Sequence, residues 1–317
     1  MMRLIAHRLL QMALVLFFMS IAIYALIGLM PGDPIDMMIS ADPHITSADM
    51  ARLKALYGMD RPLAERWWHW LAALAQGNFG YSRLYAAPVL TTIGPALADT
   101  VQLMGISLLL SLLIALPAGV FAALRPYSLR DHAINIGAYA GISLPAFWLA
   151  LMLIILFSVK LGILPASGVA STDAQTLWDQ CKYLVLPVAT LTLARTGAYT
   201  RFMRGSMLEV MRQDYIRTAR AKGAGTARIV VKHALRNALI PVVTILALDF
   251  GSLFSGALIT ETVFGWPGMG KLIYDAILGN DFNLALVALL LATFVTLAGS
   301  LLADLAYAWL DPRIIYR

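Results

Sequence analysis

The chain has 317 residues, of which 60% are hydrophobic and only 13% are charged, with a mean hydropathy of +0.75. Soluble domains are about 45–50% apolar and about 25% charged, so this composition is typical of a protein embedded in a bilayer. A single cysteine, Cys181, excludes an internal disulfide and a cysteine-based metal cluster. The histidines show no ligand spacing and predict no metal site; they are His7, His44, His69, His132 and His233.

The first apolar segment follows Arg3 and Arg8 and runs from Leu9 to Met30, with Gln11 as its one strongly polar residue. A signal peptide has an apolar core of about 7–15 residues that ends at a small-residue cleavage site. This segment is longer and has no such site. It therefore predicts a retained transmembrane helix.

Segments of about 20 apolar residues are long enough to cross the hydrocarbon core as helices. Six segments qualify: Leu9–Met30, Val101–Leu124, Ala133–Val159, Tyr183–Thr200, Ala238–Ile259 and Leu284–Leu310. The fourth is the least apolar because it contains Pro187 and Arg195. Prolines inside such helices are tolerated when neighbouring helices satisfy the freed carbonyls. The predicted fold class is all-α, a polytopic membrane protein with six transmembrane helices.

The distribution of Lys and Arg predicts the orientation of these six helices. If the N-terminus is cytoplasmic, the inner segments hold 16 of these residues and the outer segments hold 8. Cytoplasmic loops carry the excess of Lys and Arg, so both termini are predicted to be cytoplasmic. The predicted domains are residues 1–98, with the first helix and a long external loop, and residues 99–317, with the other five helices and the inner loop 201–236.

The external loop begins with the turn Pro31–Pro34 and continues with a helical pattern from Ser47 to Gly77. Three tryptophans in that pattern are Trp67, Trp68 and Trp70. Aromatic side chains collect at the membrane interface, so we interpret them first as interfacial anchors. Contact with a soluble partner outside the cell is the alternative.

The inner loop 201–236 is strongly cationic. It contains nine Lys or Arg residues and only two acidic residues, Glu209 and Asp214. Its net positive charge therefore exceeds that of the whole chain, which is +6. The nine are Arg201, Arg204, Arg212, Arg217, Arg220, Lys222, Arg228, Lys232 and Arg236. Nucleic-acid binding favours base-stacking aromatics among such charges, and this loop offers only Phe202 and Tyr215. The positive charge therefore indicates that the loop is cytoplasmic and binds a protein partner, and it does not indicate nucleic-acid binding.

The centre of the loop predicts two short helices with a glycine joint. Asp214 is expected to cap a helix that extends through Lys222, and Gly223 and Gly225 are expected to end it. A second helix from Thr226 leads into the fifth apolar segment. Such a unit on the membrane face can transmit movement from a soluble domain into the helices. The alternative is a solvated basic loop that binds lipid headgroups.

These residues resemble the EAA loop of ABC importer permeases, in the version found in dipeptide and oligopeptide permeases. Arg217-Thr218-Ala219 takes the place of Glu-Ala-Ala, Gly223 that of the glycine, and Leu235-Arg236 that of Leu-Pro. The replaced Glu and Pro resemble the B-type branch of peptide permeases. Other similar stretches are Pro31–Pro34, Tyr57–Tyr81, Glu261–Gly270 and Asp311–Arg313, so the resemblance covers essentially the whole chain.

The resemblance implies a type I ABC importer permease fold and a non-catalytic subunit in a bacterial inner membrane. Expected partners are a homologous C-type permease subunit, ATPase subunits that bind ATP and Mg²⁺, and a periplasmic substrate-binding protein. The chain itself is expected to bind no cofactor. It is expected to form half of the translocation path for dipeptides or oligopeptides. The residues implied in coupling to the ATPase subunit are Tyr215, Arg217, Ala219, Lys222 and Gly223.

The stretch from Gly265 to Lys271 has the spacing of a phosphate-binding P-loop, but Leu272 stands where Ser or Thr would hold Mg²⁺. No strand precedes it, and it falls on the outer side. We therefore interpret it as a rigid periplasmic turn beneath the incoming cargo, formed by Glu261, Trp266, Pro267, Gly268 and Gly270.

Asp249 lies near the middle of the fifth apolar segment. A carboxylate inside the bilayer is costly and usually faces a cavity or a partner. One hypothesis is that Asp249 lines the translocation path and favours a cationic group, such as a peptide N-terminus. The alternative is a structural pairing or a protonated acid. Asn135 and Gln102 are further candidates for the path.

No hydrolytic motif is found in the sequence, which argues against an intramembrane enzyme. An ion-coupled secondary transporter is a remote alternative, because it has no need of a coupling loop. Within the same machinery, nickel or metallophore complexes, glutathione and opines are alternative cargoes. The binding protein makes most of the cargo choice, so this sequence does not decide among them.

Overall fold

The structure is a computed structural model that describes residues 2–29, 61–169, 176–250 and 257–310. These residues form eleven helices and one hairpin. The helices are α1 Met2–Gly28, α2 Leu63–Ala75, α3 Val89–Leu124, α4 Leu129–Ser143, α5 Ala146–Leu153 with the π-helical continuation Ile154–Lys160, α6 Leu177–Val210, α7 Asp214–Ala221, α8 Thr226–Arg228 with Ile229–Ala234 and Leu235–Phe250, α9 Leu258–Phe264, α10 Met269–Leu278 and α11 Phe282–Leu310. The antiparallel hairpin pairs β1 Tyr81–Ser82 with β2 Ala87–Pro88.

Four described helices are long and apolar enough to cross a membrane, namely α1, α3, α8 and α11. The bent pair α4–α5 makes a fifth candidate. The sixth predicted span, Tyr183–Thr200, lies inside α6, a single helix of 34 residues. Lys182, Arg195 and Arg201 make α6 less apolar than the other long helices. The described residues of the predicted spans are mostly helical; the exceptions are Leu29 in the first, Leu144 and Pro145 in the third and Ala257 in the fifth.

The third predicted span, Ala133–Val159, is not a straight helix. Its two halves meet at an angle of 102°, and the break falls between Ser143 and Ala146. Leu144 adopts an extended conformation with φ −84° and ψ 125°. The ring of Pro145 disfavours helical geometry in the residue before it and removes a backbone donor. The proline therefore ends α4 and starts α5.

The fifth predicted span also differs from the observed helix. The span was predicted to start at Ala238, after a helix from Thr226; in the structure the two form one continuous helix, α8, which begins at Thr226 as predicted. The helix is described to Phe250, and a new helix begins at Leu258. Residues 251–256, which the prediction included in the span, lie outside the described residues.

Helix α6 lies against α3, α4, α5, α8 and α9, so it is central to the bundle. Glycines allow its closest contacts. A β-carbon at Gly197 would collide with the carbonyl oxygen of Ala138 in α4. A β-carbon at Gly119 in α3 would lie 2.8 Å from the carbonyl oxygen of Thr200. Small residues at such contacts let helix backbones approach closely in lipid, where packing drives association.

The first and last helices are antiparallel neighbours. The Arg8 guanidinium near the start of α1 pairs with the Asp304 carboxylate near the end of α11 at 3.0 Å. At the other end, α1 and α11 share an apolar cluster with α3 and α10 that includes Ile27, Ile93 and Leu284. The start of α1 and the end of α11 therefore lie at the same end of the bundle.

Helix α2 packs on α1 through two of the three tryptophans. The Trp67 indole donates to the Ser20 hydroxyl at 3.2 Å and stacks edge-on against Phe17. Trp70 lies against Tyr24, with ring centroids 5.6 Å apart. Trp68 remains exposed. The predicted helix begins at Leu63 in the structure, and its predicted part from Ser47 to residue 60 lies outside the described residues.

One buried aspartate joins the hairpin to the last helix. Asp281 precedes α11, and its carboxylate accepts from the Leu284 amide at 3.2 Å, which caps the helix. The same carboxylate accepts from the Ser82 hydroxyl at 2.6 Å and from the Leu84 amide at 2.9 Å. The Arg83 side chain donates to the Gly279 carbonyl at 2.6 Å. The hairpin is thereby fixed over the start of α11.

Candidate functional site

Helix α7 is a short amphipathic helix attached by a single buried side chain. Ile216 is 0% exposed and belongs to an apolar cluster with Met203 and Met207 of α6 and with Ile229 and Ala234 of α8. The residues around Ile216 on α7 are exposed or half-buried. Burial of one isoleucine contributes about 1.5–3 kcal/mol, which is enough to orient a helix of this length on the bundle.

The end of α7 has a complete Schellman motif. Gly223 has φ +81°, its amide donates to the Arg220 carbonyl at 2.9 Å, and the Ala224 amide donates to the Ala219 carbonyl at 3.1 Å. Ala219 and Ala224 both pack on the apolar cluster, as is common for this motif. The predicted role of Gly223 as the joint has this geometric basis, because left-handed backbone geometry favours glycine.

The second glycine of the joint has a different role. Gly225 has φ −68° and ψ 158°, an extended conformation that any residue adopts, and it precedes Thr226 at the start of α8. A β-carbon at either Gly223 or Gly225 would meet no atom within 4 Å. The requirement at Gly223 is therefore one of backbone conformation and not of space.

The prediction that Asp214 caps α7 is wrong. Gln213 is the N-cap residue, without a side-chain capping bond, and Asp214 is the first residue of the helix. Its carboxylate pairs with the Arg217 guanidinium at 3.2 Å, and both side chains are largely exposed. An acid in the first turn still interacts favourably with the helix dipole. The helix ends at Ala221, and Lys222 is its C-cap.

The exposed face of α7 carries the predicted coupling residues. Tyr215, Arg217 and Lys222 are exposed, and Ala219 is half-buried beneath them. The Tyr215 hydroxyl accepts a hydrogen bond from the Asn237 side chain of α8 at 2.8 Å. The helix is therefore held from both sides, by the end of α6 and by the first turns of α8, while its cationic surface faces outward.

The predicted outer turn is organised by the buried carboxylate of Glu261, which is 0% exposed. One oxygen accepts from the Thr100 hydroxyl at 2.8 Å and from the Ala257 amide at 3.2 Å. The other oxygen accepts from the Lys271 amide at 3.0 Å. Ala257 precedes α9 and Lys271 lies in the first turn of α10, so one carboxylate satisfies donors at the starts of two helices.

The remaining residues of this turn close around that carboxylate. A β-carbon at Gly268 would collide with the Glu261 carboxylate, and one at Gly270 would lie 2.7 Å from the Leu258 backbone. The Trp266 indole donates to the Asp99 carbonyl at 3.1 Å. Pro267 stands between Trp266 and Gly268 in the turn. The N-terminus of α10, where a P-loop would hold a phosphate, is thus occupied by the Glu261 carboxylate of the protein itself. This arrangement is consistent with the interpretation of the segment as a turn and not as a P-loop.

The structure brings Asp249 together with Tyr199. The Tyr199 hydroxyl of α6 donates to the Asp249 carboxylate of α8 at 2.7 Å, and Tyr199 is almost fully buried. Arg195 lies one turn before Tyr199 on the same face of α6, and its Nη1 is a buried atom without a hydrogen-bond partner among the described residues. The middle of the bundle therefore holds a small polar group between α6 and α8.

The other two path candidates lie apart from this group. Asn135 donates from its side chain to the Asp131 carbonyl at 2.8 Å and to the Asp131 carboxylate at 2.6 Å. Asp131 in turn binds Arg204. Gln102 has an exposed side chain near the outer part of α3. Asn135 thus belongs to a polar cluster between the start of α4 and the last turns of α6.

That cluster is the feature the sequence analysis missed. Asp131 is 1% exposed and receives two bonds of 2.6 Å from the Arg204 guanidinium. The two residues are 73 positions apart, so no local pattern joins them. A partial signal exists, because Ser128 followed three residues later by Asp131 has the spacing of a helix N-terminus, and Ser128 does cap α4.

The comparisons with known proteins cover nearly the whole chain. Residues 115–316 match the family model described as "Binding-protein-dependent transport system inner membrane component". Residues 1–104 match the model of the N-terminal part of such membrane components. The second match spans α1, α2 and the hairpin, and the first spans α4 to α11.

Curated relatives are similar over their full length. The chain is 38% identical to an oligopeptide transport system permease protein, AppB, of Bacillus subtilis, over 98% of this chain and 99% of that one. It is 38% identical to the di/tripeptide permease protein DppB of Pseudomonas aeruginosa, over 98% of each chain. It is 34% identical to the glutathione permease protein GsiC of Escherichia coli K12, over 99% of each chain.

A solved structure of the MetNI methionine ABC transporter in an inward-facing conformation shares the fold. The match has a TM-score of 0.57 at 19% identity and covers 71% of this chain and 98% of that one. The chain has the apolar helices of an inner-membrane protein and relatives of the same length in peptide transport systems. It belongs to the family of inner-membrane permease components of binding-protein-dependent ABC transport systems.

Proposed function

We propose that this chain is one of two permease subunits in a type I ABC importer that takes up dipeptides or oligopeptides. The observation that carries the proposal is α7, an exposed cationic helix anchored by Ile216 and ended by Gly223. A helix with one buried contact and a charged outer face is suited to dock in a groove of a soluble subunit. The peptide cargo is supported by the names of full-length relatives.

The coupling mechanism follows from where α7 is attached. It follows α6 after three residues, and it contacts α8 through Ile216 and Tyr215. ATP-driven closure of the ATPase subunits would displace α7, and these contacts would pass the displacement to α6 and α8. Those two helices also carry Tyr199 and Asp249, so movement at α7 would reach the polar group at the centre of the bundle. ATP and Mg²⁺ chemistry belongs to the partner subunits.

The proposed topology has six crossings with both termini in the cytoplasm. The start of α4 lies beside the inner part of α6, through Asp131 and Arg204. The loop after α5 lies at the opposite end, where the Gly168 amide donates to the Phe264 carbonyl of α9 at 2.9 Å. The bent pair α4–α5 therefore passes from the α7 side to the outer turn and counts as one crossing. The Arg8–Asp304 pair supports a common side for both termini.

The outer turn supports the delivery of cargo in this proposal. Glu261 fixes α9 and α10 relative to each other and to Thr100 of α3. A turn with this many internal bonds stays rigid while a periplasmic binding protein docks and releases its ligand. The expected partners are that binding protein, a homologous C-type permease subunit and the ATPase subunits.

Purification of the importer from its native host, through a tag on this chain, tests the proposal. We expect a second permease, ATPase subunits and no uptake in proteoliposomes until the binding protein, a labelled dipeptide or oligopeptide and ATP are all present. Uptake that continues without the ATPase subunits and follows an ion gradient would contradict the proposal and favour a secondary transporter. Glutathione belongs in the same assay as the second cargo, because a glutathione permease is 34% identical.

Asp249→Asn is expected to change cargo preference. If the carboxylate attracts the cationic N-terminus of a peptide, uptake of peptides with a free N-terminus falls about three- to tenfold, while N-acetylated peptides are little affected. Each uptake rate is divided by the wild-type rate for the same peptide, which removes the preference of the binding protein. Tyr199→Phe is the control, since it removes the hydroxyl donor and keeps the carboxylate. Equal effects on both peptide classes would leave Asp249 with a structural role only.

A further inference from the structure

Helices α4 and α6 pack against each other in antiparallel orientation. Their closest approach is at the glycines: Gly197 packs on the Ala138 carbonyl, and a β-carbon at Gly141 would lie 2.8 Å from the Leu193 carbonyl oxygen. Towards α7, the Arg201 guanidinium lies over the Tyr139 ring at 4.8 Å. The backbones of the two helices are therefore in close contact over this stretch.

The inner end of this interface is closed by the Asp131–Arg204 ion pair. Arg204 donates through Nε to one carboxylate oxygen and through Nη2 to the other, both at 2.6 Å. Such a planar bidentate pair fixes orientation as well as distance. Asp131 also accepts from the Tyr127 amide at 2.8 Å and from the Asn135 side chain at 2.6 Å, and it is nearly inaccessible to solvent.

The ion pair lies between the coupling helix and the bent helix pair. Arg204 is on the last two turns of α6, next to Met203 and Met207, which belong to the cluster that holds Ile216 of α7. Asp131 is in the first turn of α4, the half of the bent pair that ends at the Pro145 break. Movement of α7 reaches α6 directly through the apolar cluster that holds Ile216. No residue of α4 belongs to that cluster.

We infer that Arg204 is a positioning residue for energy coupling: its ion pair with Asp131 makes α4 move with α6, so that displacement of α7 also carries the α4–α5 half of the bundle. This inference rests on the proposed role of α7. Among the contacts between α4 and α6, it assigns to the bidentate ion pair the transmission of movement to α4. The Gly197 and Gly141 contacts keep the helices close, and the ion pair fixes their relative rotation and height.

The first test uses the complete importer in proteoliposomes, with ATP hydrolysis and cargo uptake measured in the same sample. Arg204→Gln is expected to leave ATP hydrolysis within about twofold of wild type and to lower cargo transported per ATP about tenfold, as expected for loss of a charge-assisted pair. Arg204→Lys keeps the charge without the fork and is expected to be intermediate. Arg130→Gln is the matched control, because Arg130 is an exposed cation beside Asp131.

A merely structural role predicts a different result, namely that hydrolysis, uptake and yield of the assembled complex fall together. That outcome would overturn the inference. An Arg130→Gln defect as large as that of Arg204→Gln would also overturn it, since the effect would then come from surface charge. Wild-type complex that shows no ATP-dependent peptide uptake would instead refute the proposed function.

A second test measures the movement without any cargo. Spin labels are placed at the exposed positions of His132 in α4 and Phe202 in α6, in a Cys181→Ser background that removes the single native thiol. We expect the same label distance in the nucleotide-free and ATP-bound wild-type complex, and two different distances in Arg204→Gln. A distance that changes with nucleotide in the wild type, or one that stays fixed in Arg204→Gln, would overturn the inference.

Discussion

Gly223→Val is expected to abolish peptide uptake while the ATPase subunits continue to hydrolyse ATP. Gly223 has φ +81°, which is costly for a β-branched residue, so valine would move the backbone out of the left-handed region. Both Schellman bonds would then be lost, and the chain would enter α8 in another direction. Uptake and binding-protein-stimulated hydrolysis in proteoliposomes measure the effect, with a loss of uptake of about tenfold or more expected.

A graded series makes that result specific. Left-handed geometry costs an ordinary L-residue about 1–2 kcal/mol, whereas asparagine tolerates it. We therefore expect Gly223→Asn to be mild, Gly223→Ala to be intermediate and Gly223→Val to be severe. Gly225→Ala is the matched control, because Gly225 has φ −68° and equally open surroundings. Equal damage at Gly225 and Gly223 would mean that the joint does not depend on backbone conformation.

Glu261→Ala is expected to produce the largest loss of stability. It would orphan the Thr100 hydroxyl and the Ala257 and Lys271 amides, and it would remove the negative charge at the starts of α9 and α10. Each buried donor without a partner costs about 1–3 kcal/mol, so the sum is about 3 kcal/mol or more. A fall in unfolding temperature of at least about 5 °C in detergent, together with loss of uptake, is the expected measurement.

The neighbouring Thr262 provides a matched control for this loss. Its hydroxyl is buried and has no partner among the described residues, so Thr262→Val removes a polar atom that makes no bond. The unfolding temperature of Thr262→Val is expected to stay the same or to rise. Glu261→Gln should lie between alanine and wild type, since it keeps the volume and part of the accepting capacity. Similar losses in Glu261→Ala and Thr262→Val would show that the turn responds to any substitution and not to the carboxylate.

Much of the fold could be predicted because apolar segments and individual residues such as glycine determine local backbone structure. Apolar segments predicted the ends of α1, α3 and α11 to within one turn, except that α1 begins at Met2 rather than Leu9 and α3 at Val89 rather than Val101. Gly223 predicted the joint, since few other residues adopt its conformation. The bend at Pro145 was not predicted, because a proline in a membrane helix either kinks it mildly or ends it, and the choice depends on neighbouring helices.

The candidate site was predictable only where its residues are close in sequence. Helix α7 and Gly223 lie within ten residues, so turn chemistry and the resemblance predicted them together. The Asp131–Arg204 pair joins residues 73 positions apart, and the Glu261–Thr100 bond joins residues 161 apart. Such contacts are set by how whole helices pack, which hydropathy does not encode. For the same reason, the sequence did not predict the bonds between Asn135 and Asp131.

The Arg8–Asp304 contact brings the first turns of α1 beside the last turns of α11. Since α1 lies beside α11, the first helix is added to the outside of the bundle at the point where the last one ends. Domains whose termini lie close together often tolerate circular permutation.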